Sequence, residues 1–255
     1  MNQVAEDYII QAEGLSKHFH GFAAVQDVNL NIRRHSIHAL IGPNGAGKTT
    51  VFNLLTKFLP PTAGTIRYNG NDITALKPAE VARQGMVRSF QISAVFPRMS
   101  VRENVRIALQ RKLGTSFHFW KSEQTLSVLH DRVDELLESV GLLAFAEFSA
   151  AELPYGRKRV LELATTLALE PEMLLLDEPT SGLGHEDVDR VAALIRKVSA
   201  NRTVLMVEHN LSVVSSLSDT ITVLAAGRIL AEGNYETVSR DPRVVVAYIG
   251  GTDDE

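Results

Sequence analysis

Residues 42–50 read Gly42-Pro43-Asn44-Gly45-Ala46-Gly47-Lys48-Thr49-Thr50, and no other stretch constrains the fold of this chain as tightly. The apolar run Ile37-His38-Ala39-Leu40-Ile41 before it reads as a buried strand, and Thr50-Val51-Phe52-Asn53-Leu54-Leu55 opens an apolar-periodic helix. A glycine-rich turn between strand and helix is the context in which this spacing holds phosphate. Glycines at 42, 45 and 47 let successive N–H groups point into one concavity, and the helix adds its positive end. Lys48 is placed to reach the β- and γ-phosphates of a nucleotide, and the Thr49 hydroxyl to ligate Mg²⁺.

With 255 residues, 45% of them hydrophobic, the chain can build one large domain or two lobes. Its formal charge of −4, with basic residues scattered as in Arg33-Arg34 and Arg157-Lys158-Arg159, gives no stripe for nucleic acid. The absence of cysteine rules out disulfides and thiolate metal sites. The acidic start, Met1 to Glu13, lacks the layout of a signal peptide. No apolar run reaches the roughly 20 residues that span a bilayer, so the chain is expected not to cross one itself.

Strand-like segments come first: Tyr8 to Ala12, Ala24 to Ile32, Ile37 to Ile41 and Thr65 to Gly70. From about Val101 to Leu169 the apolar spacing turns helical, as in Leu126, Leu129, Val133, Leu136, Leu137 and Val140. Strands return at Met173 to Leu176, Thr203 to Val207 and Thr220 to Leu224, with helices between the first pairs, which predicts parallel strands buried on both faces. The expected fold is an α/β P-loop NTPase with a mixed, largely parallel core sheet, an antiparallel β subdomain and an inserted α-helical subdomain. Residues 8–90 and 166–255 make the core with the β subdomain, and 91–165 the helical part of a single domain, 1–255.

The strand Met173 to Leu176 ends in Asp177-Glu178, and open parallel sheets carry their sites at such C-terminal ends. Asp177 is suited to hold Mg²⁺ or its waters, and Glu178 to polarise the water that attacks the γ-phosphate. His209, just beyond the strand Thr203 to Val207, would face the same crevice and hydrogen-bond the γ-phosphate and that water. Gln91, in Arg88-Ser89-Phe90-Gln91, offers a neutral amide to Mg²⁺ and water at the joint between lobes. The remaining histidines, His18, His20, His35, His38, His118, His130 and His185, show no metal-ligand spacing and read as surface or turn residues.

In chain order, the phosphate loop, Gln91, Leu153-Pro154-Tyr155-Gly156-Arg157, Met173 to Pro179, Ser181-Gly182-Leu183-Gly184 and His209 together resemble the ATP-binding subunit of an ABC transporter, from Gly14 to Ile249. That resemblance implies Phe19 stacking on adenine, and ATP with Mg²⁺ as cofactors. It implies two subunits closing on two ATP molecules, each site completed by the signature of the opposite chain. It further implies permease partners in the membrane, with Phe117, Phe119 and Trp120 as candidates for the docking groove, and a cytoplasmic place on the inner face of the membrane. Segments 88–105, 207–214 and 244–251 are similar to those of subunits that energise bacterial uptake of branched-chain amino acids, which brings in a periplasmic binding protein indirectly.

Two positions depart from the family pattern. Signatures usually read Leu-Ser-Gly/Tyr-Gly-Gln, so Pro154 replaces a serine that would bind the partner's γ-phosphate. Proline suits a first helical position, so the helix itself is expected to survive. Gly184 stands where aspartate or asparagine is usual. Both departures fall on groups offered to the partner, which implies pairing with a different ATPase chain and two unequal sites, a homodimer being the alternative. A GTP-binding switch is excluded, because neither Asn-Lys-x-Asp nor Asp-x-x-Gly occurs. A non-transport ABC ATPase, or a nucleotide-binding regulator with weak hydrolysis, are the rival readings.

Overall fold

The computed structural model describes residues 7–89, 95–112 and 123–249. The chain begins with β1 (Tyr8–Phe19), β2 (Phe22–Arg33), β3 (Ile37–Ile41), α1 (Lys48–Leu55), β4 (Ala63–Tyr68), β5 (Asn71–Asp72), α2 (Pro78–Arg83) and β6 (Met86–Ser89). A helical stretch follows: α3 (Val101–Lys112), α4 (Glu123–Ser139), 3-10 turns at Leu143–Phe145 and Ala150–Glu152, and α5 (Tyr155–Leu167). The core then resumes with β7 (Met173–Asp177), α6 (His185–Ser199), β8 (Thr203–Val207), α7 (Leu211–Leu217), β9 (Thr220–Ala225), β10 (Arg228–Gly233), α8 (Tyr235–Ser239) and α9 (Pro242–Ile249).

Two sheets result. One is antiparallel in the order β2-β1-β4-β5; the other runs β10-β9-β3-β8-β7-β6 and is parallel except where β10 turns back on β9. Every residue of β3, β7 and β8 is buried, because each face of that sheet meets its own core. Ile37, Ala39, Ile41, Leu174, Leu176, Val204 and Met206 join the core built with α3 to α7. The alternate residues Leu40, Met173, Leu175, Leu205 and Val207 join the core shared with α1 and the antiparallel sheet. The period of two along a strand is what sorts them. The continuous apolar runs that predicted buried parallel strands thus have their physical cause in two cores rather than one.

In α4, Leu129, Val133 and Leu137 are buried, one above another on a single face. Helix α6 carries Glu186 and Asp187 in its first turn and Arg196 and Lys197 in its last, a distribution that matches the helix dipole. Asn210 caps α7, its side-chain oxygen accepting from the N–H groups of Ser212 and Val213 at 3.1 and 3.3 Å.

Three expectations needed correction or extension. Strand β10 was not foreseen: its hairpin turn is Ala226-Gly227, with φ of 47° and 75°. Alanine in that left-handed position gives no sequence signal of a tight hairpin. His38 is no surface residue; it is 1% exposed on β3, with Nε2 2.7 Å from Thr222 Oγ1. Pro154 sits not at the first helical position of α5 but one before it, as the N-cap, with φ −55° and ψ 154°.

Candidate functional site

Strand order and register assemble the site. β8 lies between β3 and β7, and Val207 pairs with Leu40 on one side and Asp177 on the other. All three strands are parallel, so their C-terminal ends share one edge, and neighbouring strands lie about 4.8 Å apart. The loop from Gly42, the pair Asp177-Glu178 and His209 therefore emerge side by side.

The loop 42–50 has the backbone its composition permits. Gly42, at φ 150°, brings its Cα so near β9 that a Cβ would stand 2.1 Å from the Leu224 carbonyl oxygen. Gly47, at φ 101°, is the N-cap of α1, and a Cβ there would meet the Ala24 oxygen of β2 at 2.6 Å. No L side chain fits either place. Pro43, Asn44, Gly45 and Ala46 form the turn between, closed by the Ala46 N–H donating to the Pro43 oxygen at 3.2 Å. Lys48, Thr49 and Thr50 open α1, and helix geometry leaves their N–H groups without intrahelical acceptors. Lys48 Nζ donates to the Gly42 and Pro43 oxygens at 2.7 and 2.9 Å. Burial lowers the Lys48 pKa, and the nearby negative charge of Glu178 opposes that shift.

Asp177 is buried at the end of β7 and ion-paired to Arg88. Glu178 adopts φ 47°, a left-handed conformation rare for its residue type, and its N–H donates to the Val207 oxygen at 2.9 Å. His209 is exposed at the edge. Between these groups lies Glu208, whose carboxylate accepts from Thr180 on one side and from the His209 and Asn210 N–H groups on the other. Arg88, Thr180 and Glu208 were missed at the level of sequence. Arg88 lies three residues before Gln91 and Glu208 next to His209, but nothing in their spacing says which carboxylate or loop they reach. The Thr49 hydroxyl and the Asp177 carboxylate are hard oxygen donors, a donor set that suits Mg²⁺ alongside phosphate oxygens and waters. Gln91 lies outside the described residues, as do Phe117, Phe119 and Trp120.

Phe19 ends β1, 38% exposed, with Lys17 Nζ 5.3 Å from its ring centroid. Around the start of α5, Leu153 is buried, while Pro154 and Tyr155 are exposed. The Tyr155 hydroxyl lies 3.4 Å from the Ser181 oxygen, which ties the segment to the loop before α6. Gly156 is packed so closely on Asp187 that a Cβ would meet Oδ2 at 2.1 Å. Arg157 stacks 3.8 Å above the Phe145 ring. Gly184 is the N-cap of α6 and contributes no side-chain cap. An open cleft of about 1130 Å³ lies among α2, β6, α3 and α5, lined by Phe58, Phe96, Asn104, Ile107 and Thr166 among others.

Comparison with known proteins places this geometry. Residues 25–181 match the ABC transporter family model, and residues 228–254 match that of the branched-chain amino acid ATP-binding cassette transporter. The chain is 41% identical over 252 residues to BraF of Pseudomonas aeruginosa, a high-affinity branched-chain amino acid transport ATP-binding protein, covering 95% of this chain and 98% of that one. It is 39% identical over 254 residues to LivG of Escherichia coli, with the same coverage. Among solved structures, a nucleotide-free ATP-binding cassette of an ABC transporter superposes with a TM-score of 0.83 at 29% identity, over 95% of this chain and 99% of that one. A cassette in its ADP conformation gives the same values.

Proposed function

The chain belongs to the ABC transporter ATP-binding family, and from that premise we propose that it is the ATP-hydrolysing motor of an importer for branched-chain or other apolar amino acids. The observation that carries this is the alignment of the phosphate loop, Asp177-Glu178 and His209 on the C-terminal ends of three adjacent parallel strands.

In this reading the loop 42–50 wraps the phosphates, and Lys48 exchanges its Gly42 and Pro43 carbonyl partners for β- and γ-phosphate oxygens. Thr49, Asp177 and Gln91 would hold Mg²⁺, which supplies charge neutralisation at the transferred phosphoryl group. Glu178 takes the proton of the attacking water while His209 orients that water and the γ-phosphate. Phe19 offers to adenine the ring face that Lys17 leaves open.

The signature segment Leu153 to Arg157, exposed at Pro154 and Tyr155, would face the ATP of a second subunit. Pro154 brings neither a hydroxyl nor an N–H to that encounter, which supports pairing with a different ATPase chain, the site on Lys48 and Glu178 being the competent one. Among the described residues no helix is long and apolar enough to cross a membrane. The chain would therefore ride on permease subunits at the inner face, with the cleft beside Phe58 and Phe96 receiving a permease segment and a periplasmic protein delivering cargo. Exposed aromatics suit such an anchor.

The test is reconstitution in proteoliposomes with candidate permease subunits and a periplasmic binding protein. ATP-driven uptake of labelled leucine, isoleucine or valine is expected. ATP turnover that no permease or amino acid stimulates would remove the motor role.

A further inference from the structure

Glu208 is 1% exposed at the end of β8, yet it is a carboxylate. A buried charge is expensive unless every lone pair finds a donor, and here four donors converge on it. Oε1 accepts from the Thr180 N–H at 3.0 Å and from the Thr180 hydroxyl. Oε2 accepts from the His209 N–H at 3.0 Å and the Asn210 N–H at 3.1 Å. The two oxygens thus serve two different loops. Thr180 stands two residues after Glu178, and that loop is also stitched to β8 by the Glu178 N–H to the Val207 oxygen. The Ser181 N–H returns to the Glu178 oxygen at 3.1 Å, which closes a turn around the left-handed Glu178. On the other side, Asn210 caps α7.

We propose that Glu208 is a positioning residue: its carboxylate clamps the loop bearing Glu178 to the loop bearing His209, so that both groups address the same water and phosphate. This rests on the reading of Glu178 and His209 as the hydrolytic pair. The clamp explains how Glu178 keeps a backbone conformation that its side chain disfavours; such strain persists only where surrounding contacts over-determine it. An apolar residue would fill the same space but leave four donors unsatisfied. A glutamine of the same shape would satisfy one loop and present its amide N–H₂ to donors of the other.

The experiment uses the full chain in complex with its membrane partners. Glu208→Gln is expected to lower ATP turnover about ten- to a hundred-fold, because the clamp loses charge-assisted bonding to one of the two loops and with it the alignment of Glu178 and His209. Affinity for a fluorescent trinitrophenyl-ATP should change less than about three-fold, because the phosphate loop is untouched. Combined with His209→Ala, the change should add little to the loss from His209→Ala alone, since both act through one unit. Unchanged turnover, a parallel fall in nucleotide affinity, or losses that multiply in the double variant would each overturn the proposal. If Glu208→Gln does not fold, Thr180→Val decides: reduced turnover at unchanged affinity supports the clamp, and wild-type turnover overturns it. Failure of the unaltered chain to bind the analogue would strike the reading of the site itself, not the clamp.

Discussion

Arg88 holds Asp177 in a buried ion pair, with Nη2 2.5 Å from Oδ2, while its Nη1 lies 2.5 Å from Asn53 Oδ1 on α1. One guanidinium therefore joins the end of β7 to the helix behind the phosphate loop, and its carbon stands 5.6 Å from the Phe52 ring centroid. Planar, doubly donating contacts of this kind are what distinguishes arginine from lysine.

Removing Arg88 should leave Asp177 buried without its cation. Breaking one partner of a buried pair costs about 3–5 kcal/mol, so Arg88→Met is expected to lower the urea midpoint of the nucleotide-free chain. The divalent cation that ATP brings would then supply the missing positive charge at Asp177, and stabilisation by a ligand that binds only the folded state follows mass action. The midpoint shift caused by Mg²⁺ and ATP should be larger in the variant than in the unaltered protein. Equal shifts would show that Arg88 and the metal do not address the same carboxylate.

Lys48→Ala should neither bind nor hydrolyse ATP. The amine already sits over the loop, bonded to the Gly42 and Pro43 oxygens, and no other cation of the loop segment can take its place. Equilibrium binding of trinitrophenyl-ATP and phosphate release measure the two losses. Retained turnover would withdraw the phosphate-loop assignment.

The core of this site was legible because its parts are local. Strand, glycine turn and helix are contiguous from Ile37 to Leu55, and two acids follow an apolar strand at Asp177-Glu178. Contacts that cross the sheet edge were not: Arg88 finds Asp177 across 89 positions, and Glu208 finds Thr180 across 28. Buried polar residues were misjudged for the same reason. His38 looks like a solvent residue in sequence, but its strand is covered on both faces, and the Thr222 hydroxyl on the neighbouring strand gives its ring the hydrogen bond that makes burial tolerable.

That burial gives a pH dependence. Desolvation pushes the His38 pKa down from 6.5 to about 4, so the unfolded chain binds a proton there that the folded chain refuses. Between these values the unfolded state holds more protons, and stability falls as pH falls. The loss should reach about 2 kcal/mol by pH 5 and approach about 3 kcal/mol below pH 4. Urea unfolding at pH 7 and pH 5 should show this difference in the unaltered chain and lose that share of it in His38→Gln. Identical pH slopes would mean that His38 is not held neutral.

Pro154 carries the last prediction. As the N-cap of α5 it offers no side-chain oxygen, so the first-turn N–H groups of the helix lack the cap that serine would give them. In the proposed dimer, where this segment would meet the partner's γ-phosphate, the chain lacks one charge-assisted hydrogen bond, worth about 1.5–3 kcal/mol or one to two decades in rate. Pro154→Ser should therefore raise turnover of the paired subunits, and the gain should arise at the partner's nucleotide. Glu178→Gln in this chain should abolish most turnover, while the equivalent change in a non-identical partner should cost much less. Phosphate release from purified heteromeric complexes separates the cases. Equal losses from the two glutamine variants, or no gain from Pro154→Ser, would mean that the two composite sites work alike and that the proline is neutral at the seam.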